Sequence, residues 1–172
     1  MRERSAIIAL ILGFAFGAQC LFAQAVLDSS QGLKGMDVIE HLGSTIPLNL
    51  KFINSSGDTV TLGRYFHQGI PVVLAMYYSN CPMLCSLVLT GLSQSAGQMK
   101  LVPGTDYQIL SMSLDPKESS EIAAAGKKRY LAGVPNAAGS DAWEFLVSPD
   151  NNTKIVADSV GFEYYYIKDK NQ

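Results

Sequence analysis

The sequence is short of charge, cysteine and histidine. Only 16% of its 172 residues are charged, and the formal net charge is −2. The 13 Lys and Arg residues are scattered, so no basic stripe exists to neutralise phosphates, and nucleic acid is not an expected partner. Three cysteines are too few for a disulfide-stapled fold, in which several pairs stand in for a core. Internal repeats, linkers and low-complexity tracts are also missing. At 48% hydrophobic residues the chain can build a core of its own, and its length suits one domain better than two.

What is present begins with an address. Arg2 and Arg4 precede an uncharged apolar stretch over 6–16, and Ala23-Gln24-Ala25 places small residues one and three positions before a signal-peptidase cut. Residues 1–25 therefore read as a signal peptide, 26–40 as an N-terminal extension and 41–172 as one domain. The apolar core is too short for a hydrocarbon layer that needs about 20 residues. Left uncleaved, residues 6–25 would just span one, and only then is a membrane a partner. A lipoprotein cut before Cys20 is the alternative, although Gln19 is bulkier than the residue such a cut prefers. Cleavage before Val26 removes Cys20 and leaves Cys81 and Cys85 in an exported protein. Its expected location is the bacterial periplasm or the outer face of the cytoplasmic membrane, where a cysteine pair can be oxidised.

Strand and helix patterns then alternate. "IPLNLKFINSSGDTVTL" reads as two strands joined by a turn at Ser56-Gly57-Asp58. "IPVVLAMYY", residues 70–78, is a continuous apolar and β-branched run, expected to be buried on both faces and central in its sheet. Residues 82–99 carry apolar side chains at Leu84, Val88, Leu92, Ala96 and Met99, close to helical spacing, with Pro82 in the first turn and Pro103-Gly104 at the exit. "YQILSMSLD" is a strand ending at Asp115, and Pro116 breaks it before a helix starting near Ser119 with Glu121 in its first turn. "WEFLV" is a strand, "NNTKIVADSV" a helix capped by Asn151 or Asn152, and "FEYYYI" the start of another strand. The order predicts an α/β sandwich with parallel strands and right-handed crossovers. Tyr77, Tyr78, Tyr164, Tyr165 and Tyr166 are expected in the core or along the sheet edge.

"YYSNCPMLCSL", residues 77–87, sets two cysteines four apart at the carboxyl end of one strand and the start of the next helix. Open α/β sheets present reactive groups there, and the helix dipole and free amides favour thiolate over thiol. A bridge closing so short a loop removes little chain entropy, so a purely structural staple is a poor explanation. Spacing i, i+4 on a helix puts both sulfurs on one face, which fits a Cys81–Cys85 disulfide and equally two thiolates on one soft ion. Thioredoxin-type redox pairs have two intervening residues, whereas here there are three, Pro82, Met83 and Leu84. That shifts weight toward Cu(I), which prefers thiolate and imidazole. Met83 is a soft donor, but a Met beside a helix start more often packs. His41 and His67 sit in loops and read as solvated, so neither is assigned to a metal.

These residues also carry a resemblance. "YYSNCPMLCSLVLTGL" resembles the cysteine motif of the Sco/SenC family, thioredoxin-like copper proteins of cytochrome oxidase assembly. "LSMSLDPKESSEIAAAGKKRYL", "WEFLV" and "VGFEYYY" resemble later elements of that family, and together the likeness spans about residues 40 to 170. The resemblance implies a thioredoxin-like sandwich with an N-terminal β-hairpin. It implies copper, as Cu(I) or Cu(II), held by Cys81, Cys85 and a histidine, with Asp115 as the acidic residue near the site. The copper would go to the dinuclear site on the copper-bearing subunit of cytochrome c oxidase, or to another copper carrier. In the family that histidine lies several residues beyond the tyrosine-rich strand, where this sequence has already reached Gln172. The expectation is therefore a domain lacking its last strands and helix, with the strand from Phe162 left without its partner. The alternative is an enzyme, a thiol-disulfide oxidoreductase in which Cys81 attacks and Cys85 resolves, with a thiol-disulfide reductant as partner.

Overall fold

The computed structural model describes residues 37–66 and 68–165. The signal peptide over 1–25, Cys20, most of the 26–40 extension, His67 and Tyr166 lie outside the described residues. Among the described residues no helix is long and apolar enough to cross a membrane.

The predicted hairpin forms from β2 (Lys51–Asn54) and β3 (Thr59–Thr61), paired antiparallel. Its turn is closed by a side chain, since Asn54 Oδ1 accepts the Ser56 and Asp58 amides at 3.0 and 2.8 Å. Gly57 supplies the left-handed conformation between them, at φ +87°. Three strands then run parallel: β4 (Val72–Tyr77), β5 (Gln108–Ser113) and β6 (Trp143–Val147). Strand β2 joins them antiparallel through Ile53 opposite Val147, so the five-stranded order is β3-β2-β6-β5-β4. Helix α1 (Leu84–Gln98) follows β4, α2 (Ser120–Leu131) follows β5, and α3 (Asn152–Ser159) follows β6.

Alternation along β5 and β6 sorts the core into two layers. Ile109, Trp143, Phe145 and Val147 face α1 and α2 with Tyr77, Leu89, Ala123 and Tyr130. Leu110, Met112 and Leu146 face the other way, against Phe52, Leu62 and Val156. The first layer is aromatic: Tyr130, Trp143 and Phe145 stack at centroid distances of 5.7 to 6.1 Å, and Tyr77 meets Phe145 edge-on at 5.4 Å.

Four sequence expectations are corrected. Strand β4 is not central: among the described residues it ends the sheet order, and Val73 is exposed. The buried centre is β5 and β6, every residue of which is buried. The serines of β5 disguise it, because Ser111 Oγ is satisfied inside the core by Trp143 Nε1 at 2.9 Å. Helix α1 begins two residues later than expected, at Leu84, because Met83 is not helical (φ −154°, ψ −53°). Its inward face carries Leu89, Ser93 and Ala96 with Cys85 and Leu92 partly buried, while Leu84, Val88 and Met99 are exposed. Neither asparagine side chain caps α3; Asn151 adopts a left-handed conformation, and Ser148 Oγ accepts the Asn152 amide instead, at 3.0 Å. Finally, β7 (Phe162–Glu163) does have a partner, pairing antiparallel with β1 (Asp37–Val38).

Candidate thiol and metal site

The site is built where β4 stops. Its last residue, Tyr77, accepts the Leu114 amide at 2.7 Å, and Tyr78 accepts the Cys81 amide at 3.3 Å, closing a turn that brings Cys81 back toward the helix. Because α1 has no capping side chain at Met83, its first amides need an acceptor. Cys81 supplies one: the Cys85 amide donates to Cys81 Sγ at 3.2 Å. The i, i+4 relation therefore survives, but as a loop cysteine capping a helix that carries the other, rather than as two cysteines on one helix face. Both are free thiols in this structure, partly buried.

That geometry makes the two sulfurs unequal. Burial opposes ionisation of Cys81, but hydrogen bonds from the Cys85 amide and thiol, the Met83 amide and the Tyr78 hydroxyl outweigh it, and the thiol is held below its ordinary range. Cys85 goes the other way, pushed up to about 11 by burial, by the hydrogen bond with Cys81 and by the charges of Cys81 and Glu118. Ionising one sulfur leaves the other protonated.

A cavity of about 380 Å³ opens beside the pair, lined by both cysteines, Tyr77, Tyr78, Arg129 and Tyr130 among others. Tyr78, which sequence reasoning placed with core or edge tyrosines, stands at this site, and its hydroxyl is made less acidic by burial and by Cys81. Asp115 does not line the cavity; its Oδ1 accepts the Lys117 amide at 2.9 Å, closing the turn after β5. The acidic group that reaches the cysteine loop is Glu118, whose Oε1 accepts the Ser79 amide. Its Oε2 and the Tyr77 hydroxyl are both buried, and the acidity of that hydroxyl is suppressed by burial and then by the charge and hydrogen bonding of Glu118. Nothing in the sequence marked Glu118 apart from any other acid ahead of a helix. Arg129 was equally silent.

The remaining candidates lie elsewhere. His41 is tied to the far end of α3, its Nδ1 3.1 Å from the Asp158 carbonyl. Met83 does not pack; it is 64% exposed at the helix start. Among the described residues no group of three or more His, Cys, Asp or Glu is assembled to hold a metal. The donors brought together are two sulfurs, a set that suits a soft monovalent ion and equally a reversible disulfide.

No protein-family model and no curated protein matches the sequence. Solved structures do. A proposed electron transfer protein from Aquifex aeolicus VF5 is similar at 21% identity over 72% of this chain and 74% of its own, with a TM-score of 0.60. A proposed electron transport protein from the same organism matches at 22% identity, over 72% and 73%, with a TM-score of 0.58. A SCO1/SenC family lipoprotein from Bacillus anthracis str. Ames matches at 19% identity, over 74% and 72%, with a TM-score of 0.55. At such identities the likeness concerns the fold, and the fold of this chain is thioredoxin-like, the one it shares with that SCO1/SenC lipoprotein.

Proposed function

We propose that this chain is an exported copper-handling protein in which Cys81 and Cys85 hold one Cu(I) as cargo. The observation that carries the reading is the pairing of two free thiols at a strand-to-helix junction, with Cys81 Sγ already placed to receive charge. Two thiolates match a soft, monovalent ion better than a hard divalent one. The sequence resemblance to Sco/SenC proteins and the fold shared with a SCO1/SenC lipoprotein support the same assignment. On this reading the copper is passed to the copper-bearing subunit of cytochrome c oxidase or to another copper carrier. Export is supported by the Arg2/Arg4, apolar core and Ala23-Gln24-Ala25 pattern.

The test is competition for Cu(I) against a chelator of known affinity under reducing conditions. The protein should take up one equivalent, and Cys81→Ser or Cys85→Ser should each weaken binding by at least a hundredfold, since removing one of two ligands abolishes chelation. Unchanged affinity in either variant would exclude the reading.

The unequal thiols support a second reading, a thiol-disulfide oxidoreductase. A thiol held below its ordinary range beside one pushed above it is the division between an attacking and a resolving cysteine. This reading needs a reversible Cys81–Cys85 disulfide and an external reductant. A measured potential far below that of the compartment would mark a permanently closed bridge and exclude it.

A further inference from the structure

The cavity beside the cysteines has one charged wall. Residues Ile122, Ala125, Gly126 and Arg129 all line it, and their spacing of three, four and seven places them on one face of α2, opposite Cys81 and Cys85. The two middle positions are small. Gly126 cannot be larger without pressing on Phe145, whose Cε1 would lie 3.1 Å from an added Cβ. Arg129 is the sole charged side chain among the lining residues. Its guanidinium stands 5.4 Å over the Tyr130 ring and forms no ion pair among the described residues. Glu118, the acid that reaches the cysteine loop, is bound to the Ser79 amide and does not line the cavity. A cation without a counter-ion, aromatic walls and a nucleophilic sulfur thus share one space. At about 380 Å³ it is sized for a few linked residues rather than for an ion.

We infer that this cavity is a subsite for a thiol compound bearing a carboxylate, with Arg129 holding the carboxylate while the compound's sulfur meets Cys81. The inference rests on the reading that Cys81 is exchange-active. In the step itself, Cys81 thiolate attacks one sulfur of a disulfide RSSR; the S–S bond breaks, a Cys81–SR mixed disulfide forms and RS⁻ leaves. Cys85, once deprotonated, then attacks Cys81 Sγ, expelling the second RS⁻ and closing Cys81–Cys85. Two electrons pass from the protein dithiol to RSSR, the two protein protons pass to the departing thiolates through solvent, and the reverse sequence reduces the protein. The carboxylate-bearing thiol has two sources, a free small thiol of the glutathione class or a protein cysteine with an acidic residue close by in sequence.

The test measures oxidation of the reduced protein by oxidised glutathione, neutral bis(2-hydroxyethyl) disulfide and cationic cystamine, each rate normalised to that of an unstructured cysteine peptide. Disulfides of N-acetylated, C-amidated Cys-Gly-Glu and Cys-Gly-Gln peptides, which differ only in the side-chain carboxylate, form a second pair. The protein should prefer the carboxylate-bearing reagents about five- to tenfold, the lower end of a charge-assisted hydrogen bond because Arg129 is exposed. Arg129→Gln should remove that preference and leave the neutral reagent's rate unchanged, and Arg129→Lys should restore part of it. A gain seen with glutathione alone supports the free thiol, and one seen with the Glu peptide alone supports the protein cysteine. Equal rates for all charges, or a preference that survives Arg129→Gln, overturns the subsite while leaving the thiol reading intact. No reaction with any reagent overturns the thiol reading and the subsite with it.

Discussion

Cys81 and Cys85 have the same side chain and opposite tendencies, because burial and the hydrogen bond with Cys81 raise Cys85, while the Cys85 amide and thiol donate to Cys81 and outweigh its burial. The thiolate is the reactive form, so the difference is readable in kinetics. Iodoacetamide at neutral pH should alkylate Cys81 first, with Cys85 lagging by an order of magnitude or more, as followed by peptide mass spectrometry. Equal and slow labelling would contradict the assignment. Cys85 also leaves a mark on stability. Its folded-state value, about 11, lies above the ordinary 9.0, so between these values the unfolded chain has released a proton that the folded one still holds. Fewer protons on the unfolded state means that stability falls as pH rises. The stability difference between the native protein and Cys85→Ser should therefore shift against the native protein from about pH 9 to 11. The buried tyrosines cancel in the comparison. Urea titrations at four pH values would check it.

At the scale of elements, the site depends on how closely α1 and α2 approach. Gly97 of α1 faces the Gly133 carbonyl, and an added Cβ would fall inside it. Nearby, Ser93 Oγ donates to the Tyr130 carbonyl at 2.6 Å, locking the middle of α1 to the end of α2. Gly97→Ala should thus cost about 1–3 kcal/mol by overpacking. Gly91 lies in the same helix with nothing within 4 Å of where its Cβ would be, so Gly91→Ala should stabilise by about 0.5–1 kcal/mol through helix propensity and the unfolded chain. Thermal denaturation of the two variants gives opposite signs if the contact is as described. The same closeness sets the distance from α2, with Arg129, to the cysteines.

At the scale of the molecule, Glu144 joins parts that are far apart in sequence. It is buried on β6, receives the Ser55 hydroxyl of the β2–β3 turn at 2.6 Å and pairs with Lys127 of α2 at 2.8 Å. Hairpin, sheet and helix therefore meet on one carboxylate. Removing one partner of a buried pair leaves the other charge uncompensated. Lys127→Met should cost about 3 kcal/mol in urea denaturation, and much less when Glu144→Gln is already present, because a neutral amide needs no counter-charge. Equal costs in both backgrounds would mean that the pair is unimportant. The exposed Asp141, 3.8 Å from Lys127, contributes little by comparison.

The alternation of periods was enough to fix the α/β class, because period-2 and helical runs bury different faces whatever their neighbours. The hairpin at Asn54–Asp58, α2 after Pro116 and the position of the cysteine pair between β4 and α1 were all legible for that local reason. Sheet order was not. The run at 70–78 is more apolar than 108–113, yet β4 lies at the end of the order and β5 inside it, since a strand's place depends on what pairs with it and a buried serine costs nothing once Trp143 donates to it. The face of α1, the capping of its start by a sulfur and the partner of β7 also depended on distant backbone. Within the site, local sequence gave the two cysteines and their spacing. Only the folded chain brought Glu118 to the cysteine loop and Arg129 across the cavity from it, because charge acts through space and neither residue's place in the sequence records where the sheet will carry it.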